Sequence, residues 1–170
     1  MLTINKYQMK TRFILSVILI VMISCQREAN KNIQNCSVSK DESIRIVQEI
    51  LKTSDEWAEA NSNKNVDNAI EFWDSSTDMK YAENGVFFAN RDSIHSVIKN
   101  YYKQTKSMNV EWLQRTVMPL TTNLAAMSGS FHFKLQFMND EIMEDTTAFT
   151  GLFIKKNNKW SLIQGHESFK

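Results

Sequence analysis

The spacing of hydrophobic positions changes period halfway along the chain. In the first half, Ile44, Val47, Ile50, Leu51 and Trp57 recur near helical spacing. Ser39, with Glu42 following it, makes a capping-box signature ahead of them, so a long helix is predicted to about Asn61. Asn65 can cap a second, shorter helix carrying Val66, Ala69, Ile70 and Trp73. Asn84-Gly85, set between Met79–Ala82 and Val86–Ala89, signals a short hairpin. Ile94, Val97, Ile98 and Tyr101 stand at i, i+3, i+4 and i+7 and mark a third helix.

The second half alternates. Met127, Gly129, Phe131, Phe133, Leu135 and Phe137 hold the odd positions, while Ser128, Ser130, His132, Lys134 and Gln136 hold the even ones. One dry and one polar face at a two-residue period predict a half-buried strand. Val110–Met118 is an earlier strand, closed by Pro119. Asn139-Asp140 turns the chain into a strand over Thr146–Lys155, and Asn157-Asn158 turns it into a last one over Trp160–Ser168. Helices followed by long strands predict an α+β fold, with one curved antiparallel sheet carrying its helices on one face.

The extreme N-terminus fits neither pattern. Lys6, Lys10 and Arg12 precede an apolar run from Phe13 to Ile23, and no acid occurs before Glu28. A basic segment before an apolar one is the form of a secretory signal. The run is about half the ~20 residues that cross a bilayer. Met22-Ile23-Ser24-Cys25 resembles the lipoprotein box of bacteria, in which the chain is cut before the Cys and the Cys is lipidated; Met22 stands where Leu is usual. The expected organisation is therefore a signal peptide over residues 1–24, lipidated Cys25 with a polar tether over 25–39, and one domain over 40–170. Gln26, rather than Asp, follows the Cys, and by that resemblance the outer membrane of a bacterial cell envelope is the expected location.

Charge is read after this correction. The full chain has 20 basic and 19 acidic residues, and the segment to be removed carries only basic ones. The mature chain is thus slightly acidic and lacks the basic surplus of a nucleic-acid binder. Cys36 is left without a partner thiol, so no disulfide framework is expected.

The domain resembles the nuclear transport factor 2-like superfamily in its SnoaL-like branch, over about residues 41–168. The residues that carry the likeness are DEWAEANSNKNVDNAIEFW on the first two helices, NLAAMSGSFHF, and the closing KWSLIQGHES. The last of these is also similar to the association domain of calcium/calmodulin-dependent kinase II. The resemblance implies a cone: a bent sheet wrapped around the long N-terminal helix with two shorter helices, and a pocket at the wide end. Its members include isomerases, cyclases, dehydratases, binding proteins and assembly modules, so the fold leaves activity open.

Two activities within that resemblance can be tested on residues. Ketosteroid isomerase uses a carboxylate base with a Tyr and a protonated Asp. An ungapped alignment puts the oxyanion Tyr position on Trp57, the base position on Tyr81, and the remaining acid near Thr150 or Gly151. Trp does not titrate, and a Tyr with a pKa of about 10 is a poor base at neutral pH. The pocket arginines of the kinase domain fall on Glu167 and near Phe131 and Gly151, so the cations are gone and one is replaced by an acid. Such a pocket disfavours anions and suits a neutral, partly apolar or cationic ligand.

The same alignment assigns faces. Ile163, Gly165 and Glu167 are expected to look into the cone. Trp160, Leu162, Gln164 and His166 are expected to look out, with His132, onto a face that would make a homodimer. The expected ligand pocket is Trp57, Tyr81, Phe131, Phe149, Ile163 and Glu167. The aromatic members of that set would equally serve to fill the cone. Glu167 reads either as a desolvated pocket carboxyl or as a rim acid paired with a Lys. No metal site and no cofactor is expected: His132 and His166 lack a third ligand, His95 reads as solvent-exposed, and no phosphate loop or zinc motif occurs.

These readings lead to a lipid-anchored, non-catalytic domain that binds a small apolar or neutral ligand or a protein partner. The alternatives are an isomerase, cyclase or dehydratase using Glu167 and Tyr81, and a dimeric scaffold with a filled cone. A cavity of ~300 Å³ containing Glu167 would support ligand binding or catalysis, and a packed cone the scaffold.

Overall fold

The computed structural model describes residues 38–169; the expected signal segment, Cys25, Cys36 and nearly all of the tether lie outside them. Helix α1 (Lys40–Ser62) begins where the Ser39 side chain accepts a hydrogen bond from the Glu42 amide at 3.3 Å. Asp41 and Glu42 in its first turn favour the positive end of the helix dipole. Its buried side carries Ile46, Ile50, Ser54, Trp57 and Asn61. The polar members of that stripe are bonded: the Ser54 hydroxyl accepts from Arg115 Nη1 at 2.6 Å, and Asn61 Oδ1 accepts from the Tyr102 hydroxyl at 2.8 Å. A polar atom in a dry core needs such a partner.

Helix α2 (Val66–Ile70) is capped by Asn65, whose side chain accepts from the Asn68 amide at 3.1 Å. Strands β1 (Lys80–Glu83) and β2 (Val86–Phe88) form the expected hairpin. Asn84 and Gly85 join them at φ of 47° and 83°, the positive values a two-residue hairpin turn demands. Helix α3 (Arg91–Gln104) is capped by Asn90. Four long strands complete the chain: β3 (Thr105–Thr121), β4 (Leu124–Phe137), β5 (Ile142–Lys156) and β6 (Lys159–Ser168).

The sheet order is β2-β1-β6-β5-β4-β3. The long strands form an antiparallel meander, but β1 lies parallel to β6, so the curved sheet is mixed rather than wholly antiparallel. The parallel seam begins before β1. Asp74 and Leu162 exchange backbone bonds with the segment around Trp73: the Asp74 amide donates to Leu162 O at 2.9 Å and the Leu162 amide to Phe72 O at 2.7 Å. Trp73 is thus extended backbone against β6, outside the second helix where it was expected. Strand β3 also runs past Pro119 to Thr121. It is an edge strand, where a residue without an N–H is tolerated.

The alternation expected on β4 is present, with Phe131, Phe133 and Leu135 buried. On β6 it breaks. Leu152 pairs with Gln164 and Phe153 with Leu162, which leaves Ile163 as a bulge residue. A bulge shifts side-chain parity by one. Trp160 and Leu162 are therefore buried in the core, 3% and 0% exposed, and do not lie on the outer face expected for them. Gly165 and Glu167, beyond the bulge, also point inward and are buried; Gln164 and His166 are exposed.

Candidate functional site

A cavity of about 160 Å³, half open to solvent, lies between α1, α3, β1 and the concave side of the sheet. Half of its eighteen lining residues are aromatic, with Trp57, Trp73, Tyr81, Tyr101, Phe131 and Phe133 among them. Four of those rings form a connected chain: Trp57 lies 5.2 Å from Phe131 and 6.5 Å from Trp73, and Trp73 lies 5.8 Å from Tyr81. The volume is about half the size set above for a drug-sized ligand. It matches the ~150 Å³ apolar cavity that admits benzene in other proteins.

Two carboxylic acids line this cavity, Glu83 and Glu167. They are register partners on β1 and β6, and so are Tyr81 and Gly165. Register partners on parallel strands share a face about 4.8 Å apart, so both acids project to the same side as Tyr81. Glu167 is 5% exposed. Burial, and then the charge of Glu83, push its carboxyl up to about 8, against a smaller opposing effect of the Tyr81 hydroxyl. Burial also raises Glu83. Burial, then the neighbouring acids, drive the Tyr81 phenol well above its ordinary value. Neither acid has a cation beside it: the lining holds no Lys, Arg or His among the described residues. At neutral pH the pair therefore holds a proton, and it titrates as a unit.

The indole N–H groups of Trp57 and Trp73 are buried without an acceptor among the described residues. An unmet buried donor is costly; both residues line the cavity, but their indole nitrogens present no surface to it. Asn61 and Tyr102, also in the lining, satisfy one another.

Gly165 sets the position of Tyr81. A Cβ there would sit 2.8 Å from Leu162 Cδ2 and 3.1 Å from Tyr81 Cδ2. Gly165→Ala is expected to cost about 1–3 kcal/mol through overpacking. It should also push the Tyr81 ring away from Glu167; a urea denaturation midpoint equal to that of the parent protein would contradict this.

Of the residues singled out in the sequence, Trp57, Tyr81, Phe131 and Glu167 meet in the lining. Phe149 and Ile163 do not. Phe149 is 2% exposed and packs beneath the pocket against Phe72 and Trp112, while Ile163 occupies the bulge. Of the outer-face set, Gln164 and His166 are exposed and His132 is half-buried, its Nε2 lying 3.2 Å from Glu144 Oε1. Strand β5 separates the two histidines, which pair with Thr146 and Thr150. His95 is half-buried rather than exposed. Among the described residues, no three His, Cys, Asp or Glu side chains gather into a metal-binding group. Sequence reasoning missed Glu83, Trp73 and Tyr101. Glu83 carried a signal in hindsight, since it stands two residues after Tyr81 and so shares its face.

A second hollow, of about 440 Å³, lies beside Glu56, Glu59, Glu71 and Lys159. Its principal acid is already neutralised: Glu71 is held low by hydrogen bonds from Lys159 and Arg91.

A curved mixed sheet, three helices and an interior pocket define the class: an α+β cone domain of the nuclear transport factor 2-like kind. A family model for the SnoaL-like domain matches residues 50–170, and the chain belongs to that family. Solved structures with the same fold include a nuclear transport factor 2-like superfamily protein from Salmonella enterica serovar Typhimurium. It is 13% identical, with a TM-score of 0.66 over 72% of this chain and 89% of that one. A candidate scytalone dehydratase from Novosphingobium aromaticivorans gives 7% identity and a TM-score of 0.69 over 78% and 89%. A type 3 hexachlorocyclohexane dehydrochlorinase from Novosphingobium barchaimii gives 7% and 0.66 over 78% and 91%. At these identities the likeness is one of fold. A search of curated proteins finds no significant match.

Proposed function

We propose that the protein is a lipid-anchored cell-envelope receptor whose SnoaL-like domain binds a small ligand in the cone cavity. The observation that carries the reading is the cavity itself: about 160 Å³, walled by aromatic rings and holding the buried carboxyl of Glu167. Its size suits a ligand that buries one ring or about eight heavy atoms there. Lys6, Lys10, Arg12, the run Phe13–Ile23 and Cys25 support the anchor. The filled-cone scaffold loses its support, because the cone is not filled and Trp160 and Leu162 belong to the core.

One experiment reads both halves. Native mass spectrometry of the full-length protein, extracted in maltoside from bacterial membranes, is expected to give a mature chain starting at acylated Cys25 and carrying a small bound mass. An unacylated, soluble chain would refute the anchor. An empty domain that also rejects a panel of one-ring compounds would refute the receptor.

A second reading is favoured by Glu167, Glu83 and Tyr81 standing on one face of adjacent strands. A protonated carboxyl and a phenol beside an ionised carboxylate can hold an oxyanion and move a proton. The protein would then be an isomerase, cyclase or dehydratase for a small substrate. Turnover of a one-ring carbonyl compound, abolished by Glu167→Gln, is the result that selects it.

A further inference from the structure

The cavity has a charge signature as well as a size. Two carboxyl groups face it, no cation lines it among the described residues, and its walls present aromatic rings. Aromatic faces attract cations through their quadrupole, more strongly when the site is dry. The two acids stand in register on neighbouring strands, where a shared proton is the only positive charge that the described lining offers them.

We infer that the natural ligand is a small organic ammonium ion, held with its charge between Glu83 and Glu167 and against the surrounding rings. This rests on the cavity being a binding site and names the chemistry it selects. An anion is rejected by the two acids. A neutral molecule of the same shape fills the space, leaves the proton on the pair and makes no charge contact with it.

Binding is coupled to a proton. The cation is best met by both acids ionised, so it displaces the proton that the pair holds at neutral pH. The titratable groups facing Glu167 are Glu83 and Tyr81 on β1 and Tyr101 and Tyr102 on α3; α1, β3 and β4 contribute Trp57, Asn61, Met108, Val110, Phe131, Phe133 and Leu135, which do not titrate. Burial holds all three phenols above their ordinary value, so they stay neutral. Affinity for a permanently charged ammonium therefore rises as pH climbs from 6 to 8, and affinity for a neutral molecule stays flat.

Choline and 3,3-dimethylbutan-1-ol make the test, since they have nearly one shape and differ in charge. Titration calorimetry on the full-length protein in maltoside is expected to give choline at least tenfold tighter binding at pH 8 than the alcohol. Glu83→Gln is expected to cut that preference severalfold, and Glu83→Gln with Glu167→Gln to erase it while leaving alcohol binding in place. Glu83 is half-buried, so its single variant remains readable if the double variant fails to fold. Equal affinity for the two probes, or preference for the alcohol, overturns the ammonium assignment and leaves the receptor standing. Binding of neither at millimolar concentration overturns both.

Discussion

Glu167→Gln is expected to stabilise the protein at pH 8 by about 3 kcal/mol and to leave it nearly unchanged at pH 4.5. The sign follows from where the proton sits. In the unfolded chain the carboxyl titrates at its ordinary 4.5, and in the folded protein burial, then Glu83, move it to about 8. Between those values the folded state holds a proton that the unfolded state has released, so stability is fully present below pH 4.5 and falls as pH rises to 8. Each unit is about 1.4 kcal/mol. A shift of this size sets an upper bound near ~5 kcal/mol. The amide recovers less, because its NH₂ group needs acceptors that one hydroxyl did not. Gln keeps the shape and never ionises, so the slope due to Glu167 is lost and only that of the raised Glu83 carboxyl remains.

Other acids act in the opposite direction and set the lower edge of the window. Burial works to raise Asp74, but hydrogen bonds from Ser76, Lys156 and Ser161 outweigh it and hold the carboxyl at about 2. Its contribution is present above pH 3.8 and lost as pH falls through 2. A hydrogen bond from Lys155 likewise lowers Glu49. The parent protein should therefore be most stable near pH 4 to 5, and the variant should lose much less stability toward pH 8. Guanidinium denaturation across pH 4 to 8.5 measures both. A parent curve that is level from pH 5 to 8 would mean that Glu167 is not held neutral.

The two halves of the cone were unequally legible in the sequence, for a physical reason. Local signals worked where the structure is local. Ser39, Asn65 and Asn84-Gly85 act through bonds to residues a few positions away, and each sits where its chemistry predicts. Strand β4 has an unbroken two-residue period, so the inward faces of Phe131 and Phe133 could be read directly. Strand β6 could not be read by parity alone, because the bulge at Ile163 lets both Trp160 and Glu167 point inward. The adjacent apolar pair Leu162-Ile163 is the trace it leaves in the sequence. Glu83 was hidden for another reason. Its partnership with Glu167 comes from a parallel seam between strands 84 positions apart, which no periodicity encodes. Long-range register is a property of the folded sheet, and here it brings the second acid to the site.

Phe149 separates the core from the pocket. Phe149→Ala is expected to cost about 3–5 kcal/mol, as deletion of a fully buried ring does. The ring is 2% exposed, lies 5.5 Å from Trp112 and 6.3 Å from Phe72, and stands in register with Glu167 across β5 and β6. Gly151 leaves room for it: a Cβ there would come within 2.7 Å of its Cζ. Yet Phe149 does not reach the cavity surface, so affinity for a small ligand, measured at 10 °C where the variant remains folded, should change less than about threefold. Phe131→Ala makes the contrast. That ring is also buried and its loss carries a similar expected cost, but it lines the cavity within 5.2 Å of Trp57. Removing it enlarges the pocket and should weaken one-ring ligands at least tenfold while admitting two-ring ones. Denaturation and calorimetry on the two variants together test this division. If Phe149→Ala weakens binding as much as Phe131→Ala does, the wall of the pocket extends a layer deeper than the lining described, and the ligand is larger than one ring.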